Sequence, residues 1–265
     1  MNPSQTSPLV DADRLAGALV RPGTVWTGVS SVTSTGSTNA DLAAAARAGA
    51  PSGTVLVSDH QSAGRGRFAR VWEAPAGTSL AMSVLLRPPA ALPSERWLWL
   101  PLVAGLAVAE GIGIGCGPAA EVKWPNDVLI GGRKVCGILC ERVDAGEPAA
   151  AILGMGLNTT LGEDELPVPT ATSLVLAGAE VDPTGVAAAV LAALGRWYTR
   201  WLAADDLRAE YAARCSTVGR PVRVEVSRDQ VVEGTATGVD DAGRLLVEVA
   251  GRVRSFAAGD VVHLR

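Results

Sequence analysis

Apolar positions along the chain follow two spacings. Helical spacing or capping marks residues 11–20, the alanine-rich run 40–48, the apolar run 98–112, the segment from Asp182-Pro183 to Trp201, and residues 205–213. For the run 40–48, Thr38 is the expected N-cap, with Asp41 three positions on and Gly49 as the C′ residue. The helix over 98–112 tolerates Pro101 only in its first turn and is expected to end in the glycines of 111–117.

Strand-like runs occupy 54–58, 122–124, 128–130, 135–141 and 150–157, with Gly131-Gly132 as a hairpin signal. Leu80, Met82, Val84 and Leu86 alternate with smaller residues, as in a strand with one wet face. From Thr217 on the character changes to short β-branched strands at 222–226, 231–239, 245–249 and 252–256, separated by turns at 240–243 and 250–251. The pattern predicts an α+β fold: residues 1–216 as a mixed or antiparallel sheet with helices, and 217–265 as a small all-β domain, with the boundary near Cys215.

Composition narrows the function. At 265 residues with a formal net charge of −4, the chain lacks the clustered positive charge of a dedicated nucleic-acid binder. Its first 22 residues hold no long apolar run and carry Asp11 and Asp13, unlike a secretory signal or membrane anchor, so a cytoplasmic protein with no membrane or nucleic-acid partner is expected. Cys116, Cys136, Cys140 and Cys215 show no zinc spacing and read as reduced packing residues. Gly111, Gly113 and Gly115 follow a helix and miss the GxGxxG spacing of a dinucleotide loop. His60 and His263 are unclustered, and there is no Walker A, GxSxG, HExxH or kinase set.

Three constellations can carry chemistry. The loop 61–72, QSAGRGRFARVW, sets Arg65, Arg67 and Arg70 among glycines beside Trp72. Glycines allow close backbone approach, and guanidinium forks match carboxylate and phosphate oxygens, so an anionic ligand is implied. The bland alternative is a solvated turn. The run Lys123-Trp124-Pro125-Asn126-Asp127 brings an amide and a carboxylate to a turn, where Asp127 could hold Mg²⁺ directly or through water, although Asn-Asp is also common in ordinary turns. Lys134 re-enters an apolar strand just after the hairpin, directed at a ligand or standing as an edge guard. Gly154-Met155-Gly156-Leu157-Asn158 ends a strand with backbone and an amide able to line a cleft.

In order, Ser37-Thr38-Asn39, Gln61 with Gly64-Arg65-Gly66-Arg67, KWPND at 123–127, Arg133-Lys134 with Gly137-Ile138-Leu139, and Gly154-x-Gly156-x-Asn158 resemble the catalytic core of bacterial biotin protein ligases. The resemblance covers about residues 35–160; the C-terminal strands resemble the family's SH3-like β-barrel in pattern and position only. It implies a class II aminoacyl-tRNA synthetase-like mixed sheet and an enzyme that makes biotinyl-5′-AMP from biotin and ATP with Mg²⁺. The biotin then passes to a lysine of a biotin carboxyl carrier domain of an acyl-CoA carboxylase. Biotin would be held by Ser37, Thr38, Asn39, Gln61, Gly64, Arg65, Gly66, Arg67, Lys134 and Gly137. On the ATP side would stand Arg67, Arg70, Trp72 stacked on adenine, Lys123, Asn126, Asp127, Lys134 and Asn158, with Lys134, Arg67, Arg70 and Asp127 catalytic and Asp127 on the metal. Loop 64–72 would act as a lid over the adenylate, with Phe68-Ala69 a departure from the commonest loop. With 36 residues before Ser37, no DNA-binding repressor role is expected. The alternatives are the sister lipoate–protein ligases, a non-catalytic binding module, and an RNA-binding protein using Gly64 to Arg70 with the terminal β-barrel, against which the acidic net charge argues.

Lys134→Ala is expected to abolish most adenylate formation, measured as pyrophosphate release, while leaving the fold intact, because it removes a charge used mainly in the transition state. Undiminished release in that variant would remove Lys134 from the chemistry.

Overall fold

A computed structural model describes residues 7–227 and 230–264. The described residues begin with α1 (Ala12–Leu19), β1 (Gly28–Val32), α2 (Thr38–Arg47), β2 (Thr54–Ser58) and β3 (Ser79–Leu86). Next come α3 (Trp99–Cys116), β4 (Glu121–Lys123), β5 (Asp127–Ile130), β6 (Arg133–Val143), β7 (Ala150–Asn158), α4 (Pro183–Leu202) and α5 (Arg208–Arg214). The C-terminal strands are β8 (Pro221–Ser227), β9 (Gln230–Val239), β10 (Leu245–Val249), β11 (Arg252–Phe256) and β12 (Asp260–His263).

The first seven strands form one mixed sheet in the order β1-β2-β3-β7-β6-β5-β4, with β1 parallel to β2 and every other pair antiparallel. The last five form an antiparallel sheet in the order β11-β10-β9-β8-β12. Among the described residues β11 and β12 are its two edges, and this antiparallel unit is the small all-β domain expected from the sequence. Strand β1 escapes sequence reading because it is five residues long and holds two serines. Gly131 and Gly132 both take positive φ, which the two-residue β5–β6 hairpin needs.

Helices α3 and α4 pack against each other on one face of the large sheet, where the main core lies. Leu42 and Ala46 of α2 cover part of the other face, against Leu85, Val143, Ala150 and Ile152. This double cover corrects the reading of β3: all eight of its residues are buried, because the face expected to be wet lies under α2.

Helix α3 also runs further than expected, through the glycines to Cys116, where Gly117 at φ 94° ends it. Gly111 is there for contact, since a Cβ at that position would stand 2.5 Å from the Val190 Cα of α4. α3 with its lead-in turn is long and apolar enough to span a bilayer, yet most of it is buried in the core. All four cysteines are free, and burial pushes the Cys140 thiol up to about 12, far from a reactive thiolate.

The two sheets share a continuous core that includes Val222, Val224 and Val247, and polar links cross between them. Trp99 Nε1 donates to Asp241 O at 2.8 Å, and Trp124 Nε1 to Gly243 O at 3.1 Å. Buried Thr217 accepts from the Trp124 amide at 3.2 Å and lies 3.1 Å from His263 Nε2. With that acceptance made, the Thr217 proton is free for His263 Nε2, which suits the neutral ring. Burial first, then nearby Lys123 and Arg220, lower the His263 pKa to about 4. An unfolded histidine protonates near 6.5, so as pH falls from about 6.5 to 4 the unfolded chain gains a proton that the folded chain refuses, and stability is lost over that window. His263→Gln, which keeps an acceptor but cannot titrate, should flatten the Tm–pH profile between pH 6.5 and 4 relative to wild type. Parallel profiles would show that the domain junction is indifferent to this group.

Candidate active site

The site is a hollow on the α2-covered face of the large sheet, beyond the end that α2 fills. Strand register explains the hollow. Ala81, Gly156, Gly137 and Asp127 are paired in one row across β3, β7, β6 and β5, and Ser83, Gly154 and Leu139 make the next row. Paired residues share a face, so small side chains line up where Leu85 and Ile152 fill the neighbouring row. The result is a cavity of about 350 Å³, within the usual range for a small-molecule site.

One wall is the N-terminus of α2. Ser37, not the expected Thr38, is its N-cap, accepting from the Ala40 amide at 3.4 Å. Thr38 is unavailable because its amide and hydroxyl both reach Gln61 Oε1, at 2.8 and 3.0 Å. Asn39 lies over Gly154, where an added Cβ would stand 2.3 Å from its Oδ1. Thus Ser37, Thr38 and Asn39, all buried, and the half-buried Gln61 line the cavity as an uncharged polar cluster.

The loop forms the roof. Gly66 N donates to Arg70 O at 2.7 Å and Trp72 N to Gly64 O at 3.0 Å, closing a small hairpin whose tip holds Phe68 and Ala69 at positive φ. Left-handed backbone at two such residues is strained, and the arginines offset part of it: the Arg67 guanidinium carbon sits 4.8 Å from the Phe68 ring centre. Both arginines then reach the C-terminal domain. Arg67 donates to Gly259 O from two nitrogens at 3.3 Å and to Asn126 Oδ1 at 3.0 Å, while Arg70 is ion-paired with Asp260. Burial depresses the Arg67 pKa, against the opposing pull of Asp260 and Asp127.

At the other end Lys134 Nζ stands 2.6 Å from Asp127 Oδ1 and 5.7 Å from the Trp72 ring centre. The Lys134 ammonium covers Asp127 Oδ1, and about a quarter of the Asp127 side chain stays open to the cavity, at 23% exposure. The Lys134 backbone is pinned on both sides, donating to Thr170 O at 2.7 Å and accepting from the Thr172 amide at 2.8 Å. Asn126 is locked as well, its Nδ2 donating to Ile138 O at 2.9 Å.

The structure gathers most of the sequence-derived residues around this one cavity: beside the α2 cluster stand Arg65, Gly66, Arg67, Arg70 and Trp72 from the loop, and Lys123, Asn126, Asp127, Lys134 and Gly137 from the sheet. Two expectations need correction. Asn158 does not line the cavity; its Nδ2 donates to Thr172 O at 3.0 Å, fastening the segment that pins Lys134. Gly64 lies behind the lining, where a Cβ would meet Trp72 O at 2.4 Å. Trp72 rests on the glycine floor, where a Cβ at Gly156 would stand 2.5 Å from its Cε2 and one at Gly137 would stand 2.9 Å from its Cζ3. Its Nε1 is a buried donor without a partner, the kind of group a ligand satisfies.

Sequence reading missed Ser83, Glu141, Gly259, Asp260 and Val261. Glu141, an acid closing the apolar run 135–140, is the one with a local signal. No group of three His, Cys, Asp or Glu suited to a metal occurs among the described residues.

Residues 30–158 match the Biotin/lipoate A/B protein ligase family, and residues 217–264 the Biotin protein ligase C terminal domain. The biotin–[acetyl-CoA-carboxylase] ligase of Mycobacterium tuberculosis is 43% identical over 264 residues, covering 97% of each chain. That of Paracoccus denitrificans is 37% identical over 82% of this chain and 93% of its own. Among solved structures, the biotin protein ligase from Aquifex aeolicus in complex with biotin and ATP superposes with a TM-score of 0.76 at 25% identity, covering 91% of this chain and 100% of that one.

The Arg70–Asp260 pair ties the roof to the C-terminal domain, and a partly exposed pair is worth about 0.2–1 kcal/mol. Asp260→Ala should therefore speed tryptic cleavage within loop 64–72 by up to about fivefold. An unchanged cleavage rate would mean that this contact does not hold the loop.

Proposed function

As the chain belongs to the biotin protein ligase family, we propose that this cavity activates biotin with ATP as biotinyl-5′-AMP and then yields the biotin to a lysine of a biotin carboxyl carrier domain. The observation that carries the reading is one cavity with two chemistries: a neutral polar end at Ser37, Thr38, Asn39 and Gln61, and a charged end at Lys134, Asp127, Arg67 and Arg70. The neutral end suits the ureido group of biotin, with Arg65 and Gly66 closing over it and Trp72 offering its ring to the apolar part of the ligand. The charged end is where the biotin carboxylate and the triphosphate must meet, with Lys123 and Asn126 on the nucleotide side.

Adenylation forces two anions together and adds charge to phosphoryl oxygens. Fixed positive groups at the meeting point lower that barrier most when they need no rearrangement. Lys134 fits the role: its backbone is pinned, its stem passes over Gly137, and Asp127 aims its ammonium before any substrate arrives. Arg67 and Arg70 add charge from the roof. Mg²⁺ commonly takes one or two carboxylates plus phosphate oxygens and water, and Asp127 is a carboxylate that lines the charged end with part of its side chain open, so Asp127 would hold the ion, which would neutralise phosphate charge. In the second step the carrier lysine attacks the mixed anhydride, and the arginine-bearing roof keeps water from doing so first. A cytosolic location is in keeping with four unpaired thiols.

The test mixes the protein with ATP, Mg²⁺ and either biotin or lipoate, with and without a carrier domain. Biotin-dependent pyrophosphate release followed by a streptavidin-reactive carrier is the expected result. Release with lipoate alone would move the activity to the sister reaction, and silence with both would leave a binding module.

A further inference from the structure

Glu141 lies on β6 at the edge of the cavity, and the adenylation chemistry above makes no use of it. One carboxylate there serves two partners. Asn39 Nδ2 donates to Glu141 Oε2 at 2.7 Å, and Arg65 Nη2 of the roof sits 3.2 Å from Oε1 and 3.4 Å from Oε2. We propose that Glu141 is a positioning residue, which sets the direction of the hydrogen-bond chain in the polar end of the cavity and couples that chain to the loop. This rests on the reading of that end as the biotin pocket.

The direction follows from counting protons. A carboxylate only accepts, so Asn39 must turn its NH₂ to Glu141 and its Oδ1 to Ser83 Oγ, 2.7 Å away. The amide oxygen offers no proton, so the single Ser83 hydroxyl proton goes to Asn39. Ser83 Oγ also lies 2.6 Å from Thr38 Oγ1, and with its own proton committed it must accept there from Thr38. Gln61 Oε1 then takes the Thr38 amide proton at 2.8 Å. Without the carboxylate, only the longer contact from Asn39 Nδ2 to Leu139 O, at 3.4 Å, still opposes a flip of the amide. Ser83 can then donate to Thr38 and Thr38 to Gln61 Oε1 at 3.0 Å, so the chain runs the other way. A ureido edge reads donor, acceptor, donor, so a pocket whose donors and acceptors can exchange binds it less well. Arg65 adds the second link: the charge that orders the pocket also holds one arginine of the roof.

Biotin affinity by calorimetry and the release rate of preformed biotinyl-5′-AMP are to be measured for wild type, Glu141→Ala, Glu141→Gln, Arg65→Ala and the Glu141→Ala/Arg65→Ala double variant, with thermal melts as a check on folding. Glu141→Ala should weaken biotin about tenfold. Glu141→Gln, which can still accept from Asn39, should fall between it and wild type, a graded rescue that also answers the question if the alanine variant folds poorly. Both Glu141 variants and Arg65→Ala should release adenylate several-fold faster, and the double variant no faster than the worse single one, because they break one contact. Wild-type biotin affinity in Glu141→Ala, or release rates that multiply in the double variant, would overturn the proposal. A wild-type chain that binds no biotin would instead overturn the reading of the pocket.

Discussion

Everything at this site depends on a vacancy in side-chain volume. In the row Ala81–Gly156–Gly137, and at Ser83 and Gly154 of the next, a sheet face that would otherwise pack against α2 carries almost nothing above its backbone. Close-packed interiors do not leave such space by accident, since each missing methylene forfeits contacts. Trp72 takes up part of it, lying directly on the glycines, and the rest is the cavity. Had Gly156 or Gly154 carried a side chain, Trp72 or Asn39 would have to leave, and the floor would close.

The second constraint is that the walls come from distant parts of the chain and must be stiff. The α2 cap, the hairpin turn before Lys134 and the segment fastened by Asn158 each use ordinary backbone hydrogen bonding to immobilise one functional group. The C-terminal domain belongs to this set. Its Gly259 carbonyl and Asp260 carboxylate receive the two roof arginines, and its core is continuous with that of the catalytic sheet, so the roof is braced from across the domain junction. The bracing contacts are partly exposed and individually weak, which lets a loop that must admit substrates also close over an intermediate.

Polarity is sorted along the cavity. The neutral cluster at the α2 end sits where burial is deepest, satisfied by a chain of hydrogen bonds that ends at the Glu141 carboxylate. The charged groups lie at the mouth, where water and the other sheet moderate their desolvation. Lys134 and Asp127 hold each other there, so that neither charge is stranded before a substrate arrives.

How much of this was legible beforehand follows the range of the forces involved. Helix starts at Asp182-Pro183, the Gly131-Gly132 hairpin and the motif residues that line the cavity are local features, set by dihedral preference, capping and the chemistry of short runs, so the sequence by itself determined them. The burial of both faces of β3, the continuation of α3 through its glycines and the placing of Trp72 on the floor depend on which element packs against which. No local pattern carries that information. Glu141 left only a faint trace, one acid at the end of the apolar run 135–140, and Asp260 left none, because its partner Arg70 lies 190 residues away in the chain. The sequence determined which groups can do the chemistry; the tertiary structure decided which of them face the cavity and which brace it, because strand register and domain packing set distances that neighbours in sequence cannot.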